Sequence, residues 1–225
     1  MNRLGFFGAA AVASVLCFSS APALAAGDVS GAALDLVVAG TNTGNGGAFV
    51  TKAIKDAYDL TDAECKYLWN SASLSSAKWY DEVVEGTYFV EITHIADVAV
   101  DQLLVIDAVA SPAYAGHTVV ITGAPIDITA EYTPAIPGTK QWALPIADST
   151  GSEHGQNASY PDSRRVGGVF TGGLPGTAYM RLFSDADTGE ILYYSWSVAN
   201  TSLSVVYDKS ERPFVIAELT LSYED

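Results

Sequence analysis

The sequence predicts a mainly β protein, an antiparallel β-sandwich or jelly-roll-like barrel with a short α-helical insertion near residues 48–73. Three observations predict it. After Gly86 the chain breaks into roughly ten short apolar stretches punctuated by Gly and Pro, the spacing of sandwich and barrel strands. Helical periodicity is confined to one early region. Ala178 to Val198 reads as a β-hairpin, with two arms rich in aliphatic and aromatic residues around Asp185-Ala-Asp-Thr-Gly-Glu190.

Residues 1–25 are expected to be a signal peptide. Arg3 is followed by an apolar run from Leu4 to Phe18 and by the small-x-small signal Ala23-Leu24-Ala25. The run falls short of the ~20 apolar residues that span a bilayer. The expected destination is secreted, extracellular or at the cell surface, with no membrane insertion after cleavage. Cys17 leaves with the leader, and Cys65 alone makes no internal disulfide. Without the leader, 26 acidic residues stand against ten basic ones, a formal charge of −16. Such a surface repels nucleic acid and anionic membranes, so neither is an expected partner.

Residues 26–47 form an N-terminal strand and a flexible linker in this reading. Leu34, Leu36 and Val38 alternate as strand residues do, and Gly40 to Gly47 is rich in Gly and Asn. A tethered apolar strand suits donation to a neighbouring subunit, so these three residues are the candidate assembly strand.

Residues 48–225 are expected to form a single β-rich domain that begins with helices. Val50, Ile54, Ala57 and Tyr58 share a helical face, a break falls near Asp59-Leu60, and Thr61-Asp-Ala-Glu64 matches a capping box. Cys65, Leu68 and Trp69 then share one side of a second helix, which makes Cys65 a small buried hydrophobe. Lys78 to Glu85 is ambiguous between helix and loop. Thr87 to Ile95 alternates as a strand, and Val98 to Ala110 is a long aliphatic run. Asp148 to Arg165 is polar and long, a length that usually carries function or mobility. In the hairpin, a four-residue turn ending at Gly189 pairs Phe183 with Leu192, Arg181 with Tyr194 and Tyr179 with Trp196.

Catalytic signatures are missing. There is no nucleophile elbow, His-Glu-x-x-His, phosphate-binding loop or Cys-x-x-Cys, and His94, His117 and His154 are scattered. The balance leans away from an enzyme, with no candidate catalytic residue and no required cofactor. Three functions are carried forward. The first is a structural or surface-assembly subunit that self-associates, as a filament or surface layer does. The second is a glycan- or ligand-binding module that uses Tyr179, Arg181, Tyr194 and Trp196 on one sheet face, where rings give contact area and polar handles. The third is a secreted hydrolase with a carboxylate pair. Asp185, Asp187 and Glu190 form a candidate Ca²⁺ site, because hard cations take several oxygens.

Overall fold

A computed structural model describes residues 27–110, 113–129, 135–155, 157–173, 175–199 and 205–221. The expected signal peptide lies outside them. Four helices come first: α1 (Val29–Ala39), α2 (Gly46–Tyr58), α3 (Asp62–Trp69) and α4 (Ser76–Glu85). None of the described helices is long and apolar enough to cross a membrane.

The strand expected over Leu34, Leu36 and Val38 is a helix. Asp28 caps it, its carboxylate accepting from the Gly31 amide at 2.7 Å, and Gly40 ends it at φ 61°. The buried residues Val29, Ala33 and Leu36 follow helical spacing, whereas Leu34 and Val38 point outward. Ala and Leu are strong helix formers, and that stripe plus two good caps outweighs the three-residue alternation. The expected break is present, at Asp59 (φ 53°), and so is the Thr61–Glu64 capping box. The ambiguous stretch after Lys78 belongs to α4, capped by Ser75. Cys65 is buried, and desolvation pushes its thiol pKa up.

The β expectation holds. The strands are β1 (Phe89–Ile92), β2 (Leu103–Ile106), β3 (His117–Ile121), β4 (Ile126–Asp127), β5 (Thr139–Ser149), β6 (Arg165–Val166), β7 (Val169–Phe170), β8 (Pro175–Asp185), β9 (Ile191–Ser195), β10 (Val206–Asp208) and β11 (Phe214–Leu219). One large antiparallel sheet runs β1-β11-β2-β3-β5-β8-β9-β10, with β4 beside β5, and β6 and β7 form a small separate hairpin. The sheet curls on itself. Ile191 donates to the Thr93 carbonyl (2.8 Å) and Ile95 to the Gly189 carbonyl (2.9 Å), so the chain beyond β1 reaches the start of β9. His94 lies exposed at this junction, in a bridge to Glu190.

The curl encloses a core of Leu104, Ile106, Val119, Ile121, Leu144, Ile146, Met180, Leu182, Tyr194, Phe214 and Ile216. On the outer face the helices cover Leu103, Val105, Val120, Ala147, Val215 and Ala217 with Phe49, Ile54, Trp69 and Trp79. Trp69 and Trp79 meet edge to face at 5.1 Å, and the Trp79 indole donates to the Gly47 carbonyl, tying α4 to the start of α2. Burying each of these large side chains is worth about 1.5–3 kcal/mol. All four residues of β2 are buried, because one face meets the helices and the other meets the interior. This explains why Val98 to Ala110 reads as an unbroken aliphatic run.

The hairpin forms, with a corrected register. Asp185 pairs with Glu190 and Ser184 with Ile191, as the turn requires. A bulge at Leu192 then shifts the ladder, so Phe183 faces Tyr193, Leu182 faces Tyr194 and Arg181 faces Ser195. One extra residue sends the remainder of β9 to the opposite face. Tyr194 therefore enters the enclosed core while Arg181 stays on the outside.

Candidate functional site

The groups that converge in this fold come from distant parts of the chain. His117 opens β3, and Asp148 lies near the end of β5, the neighbouring strand. Val120 pairs with Ala147 and Ile121 with Ile146, and the same register places Asp148 diagonally from His117 on the enclosed face. Across the other ladder Asp148 faces Gly176 of β8. Arg164 lies over that glycine, its Cγ only 2.8 Å from where a Cβ would stand. The loop after β5 supplies His154, Asp162 and Arg164.

All of these side chains are buried. His117 Nε2 lies 2.6 Å from Asp148 Oδ2, His154 Nε2 lies 3.0 Å from the same oxygen, and Arg164 Nη1 lies 2.9 Å from Oδ1. Asp162 holds Arg164 from the other side at 2.8 Å and accepts the His154 amide at 2.9 Å. His154 Nδ1 meets the Trp196 carbonyl at 2.7 Å. Both nitrogens of that ring face oxygen acceptors. Trp196 stacks on His154 at 4.1 Å, meets His117 edge-on at 4.8 Å, and donates its indole N–H to the Glu153 carbonyl.

Burial works to raise the Asp148 pKa. The charge of His154, hydrogen bonds from both histidines and the Arg164 guanidinium outweigh it and hold the carboxyl well below its usual range. Arg164 shows the same contest: desolvation disfavours its charge, Asp148 and Asp162 restore it, and its pKa ends up raised.

His117 is the member that reaches solvent. It lines a cleft of about 430 Å³ whose wall also includes Asn45, Tyr114, Trp196, Tyr207 and Arg212. With Nε2 donating to Asp148, its Nδ1 carries a lone pair. That edge packs against Gly46, the first residue of α2. A Cβ on Gly46 would stand 2.9 Å from Nδ1 and 2.6 Å from the Thr118 carbonyl, so only glycine allows this approach. Asn45 makes no side-chain cap, which leaves first-turn amides of α2 as donors at the same place. Opposite, the Arg212 guanidinium lies between two rings, 3.8 Å from the Tyr207 centroid and 4.2 Å from that of Tyr114. Burial pushes the Tyr114 hydroxyl pKa up, and takes that of Tyr194 to about 12.

One carboxylate and two imidazoles are ligand types for a transition metal, and their ligand atoms lie within 4.8 Å of one another. Two features favour proton sharing instead. The 2.6 Å contact is a charge-assisted hydrogen-bond distance, and the other Asp148 oxygen already faces a guanidinium.

The residues singled out from the sequence are dispersed. Trp196 is on the cleft. Tyr179 is half-buried outside the sheet against Tyr160, and Arg181 is fully buried, donating to Gln141 and to the Val198 carbonyl. Tyr194 is interior, 5.1 Å from Phe214. Asp185, Asp187 and Glu190 share the hairpin turn, where one Asp185 oxygen accepts from the amides of Asp187 and Thr188 and from the Thr188 hydroxyl. Those contacts lower the Asp185 pKa. Leu34, Leu36 and Val38 lie on α1 and are not among the residues that line the cleft. His117, Asp148, His154, Arg164 and Arg212 carried no signal by spacing, apart from the length of the loop that holds His154 and Arg164.

Comparison with known proteins finds no matching family model, no matching curated sequence and no matching solved structure.

Proposed function

We propose that this protein is a secreted hydrolase of acyl compounds in which His117 acts as general base on a water molecule. The observation that carries the reading is the His117 imidazole, buried, held by Asp148 through Nε2, and set in the wall of a cleft beside the first residue of α2. An imidazole fixed this way takes a proton during attack and returns it to the leaving group. The amides at the start of α2 are donors for the oxygen that becomes negative as water adds to a carbonyl carbon. Among the described residues no hydroxyl or thiol hydrogen-bonds to His117, and Gly46 offers none, so water is the nucleophile in this scheme.

Purified protein is expected to release p-nitrophenol from p-nitrophenyl acetate. His117→Ala lowers that rate at least tenfold, and His94→Ala, which removes an exposed imidazole, leaves it unchanged. Equal rates in all three proteins would reduce the activity to background imidazole chemistry. A non-catalytic ligand-binding module is the second reading, favoured by the lack of a side-chain nucleophile. The surface-assembly reading loses its particular support, since the segment meant for donation is a helix packed against α2 and the molecule's own sheet.

A further inference from the structure

We infer that the cleft selects acyl compounds bearing a carboxylate, and that Arg212 is the residue that holds it. The inference rests on the hydrolase reading for the reacting end of the ligand and on separate observations for the other end.

Arg212 has no carboxylate within ion-pair distance among the described residues, in a chain of net charge −15 where acids outnumber bases. Its nearest acidic neighbours in sequence are otherwise engaged or exposed. Asp208 turns its carboxylate onto the amides of Ser210 and Glu211 and the Ser210 hydroxyl, and takes only the Arg212 backbone amide, through its carbonyl. Lys209, the other cation of this turn, reaches Glu91 at 3.7 Å. Tyr114 and Tyr207 hold the guanidinium by its faces, which leaves its edge N–H donors for a ligand. A planar fork held this way suits the two oxygens of a carboxylate. Stacking also reduces the side-chain freedom lost on binding.

The charge of the site sets the class of anion. The buried acids behind His117 are each engaged within the cluster, Asp148 by both histidines and Arg164, and Asp162 by Arg164 and the His154 amide. One guanidinium then faces the cleft uncompensated. A monoanion balances it, whereas a phosphate dianion leaves excess negative charge on an already acidic protein. The positive end of α2 faces the same space and favours the same sign.

The test compares hydrolysis of p-nitrophenyl acetate with that of the mono-p-nitrophenyl ester of succinic acid. The expected result is a kcat/KM at least tenfold higher for the succinate ester, mostly through KM, and a preference that shrinks as salt rises. Benzoate should compete and inorganic phosphate should not. Arg212→Gln should erase the preference, with kcat/KM for the succinate ester falling at least tenfold more than that for the acetate ester, and Arg212→Lys should retain part of it. Folding of each variant is checked by circular dichroism, and the salt and competition experiments need only the wild-type protein. Hydrolysis of both esters at equal efficiency overturns the assignment of Arg212 and leaves the hydrolase reading standing. Benzoate binding that Arg212→Gln abolishes, seen by calorimetry without hydrolysis of either ester, does the reverse. Phosphate competing as well as benzoate overturns the choice of a carboxylate.

Discussion

Two acidic sites in this molecule invite comparison: the Asp185–Glu190 turn and the Asp148 cluster. In the first, carboxylates are neighbours in sequence and lie at the surface. Asp185 spends its oxygen on the amides and hydroxyl of its own turn. In the second, a single carboxylate is fully buried and is reached by groups from β3 and from the long loop after β5. Both carboxyl pKa values are lowered, but for different reasons. Local hydrogen bonds act on Asp185, whereas Asp148 overcomes a desolvation cost with three cationic or donor partners. Sequence proximity of acids thus marks a turn, and spatial convergence around one acid marks the site.

The strongest way to break the comparison is Asp148→Asn. It removes one of the two buried carboxylates beside Arg164 and the shared partner of both histidines, and breaking a buried pair of this kind costs about 3–5 kcal/mol. Urea unfolding should show a loss of that size. A variant within about 1 kcal/mol of wild type would mean that the cluster is not a closed network.

A pH series sharpens the same point. The folded-state pKa of Asp148 lies below its unfolded value of about 3.9. Ionised Asp148 therefore stabilises the fold above that value, and the contribution disappears as pH falls through the folded pKa. The gap between wild type and Asp148→Asn should close in strong acid, as pH falls through the folded pKa of Asp148. A gap that instead opened on acidification would contradict the direction of the shift.

Gly46→Ala is the intermediate case. The new methyl group collides with the Thr118 carbonyl and the His117 ring, and overpacking of this kind costs about 1–3 kcal/mol. Esterase activity should fall more than stability does, because the displaced ring is the base. Asp185→Asn should have the smallest effect, a fraction of the Asp148→Asn loss. Adding a chelator to the wild type should leave the melting curve where it was. A clear drop that calcium reverses and that Asp185→Asn abolishes would instead place a calcium ion at the hairpin turn.

The fold class was legible because it rests on short-range patterns, namely strand alternation, glycine and proline punctuation, and the Thr61–Glu64 box. Errors arose where two local patterns competed or where one residue changed a register. At Leu34, Leu36 and Val38 the alternation was real, but the Val29, Ala33 and Leu36 stripe and the Asp28 cap prevailed. At Leu192 a bulge without a glycine moved Tyr194 to the opposite face from Arg181. The site was nearly invisible, since its geometry depends on which strands become neighbours. His117 and Asp148 are 31 residues apart, and only the β3–β5 register brings them together. The one available clue was the length of the loop from Asp148 to Arg165.

The position of β11 bears on how the chain matures. Synthesis runs from the N-terminus, yet β11 inserts between β1 and β2, which are made more than a hundred residues earlier. Until Phe214–Leu219 has emerged, β1 and β2 each present an unpaired edge rich in β-forming residues. Such edges recruit other chains, and pairings so distant in sequence form slowly. A nascent or truncated chain lacking β11 is therefore the aggregation-prone species, and a chaperone that shields the β1 and β2 edges would act during this interval.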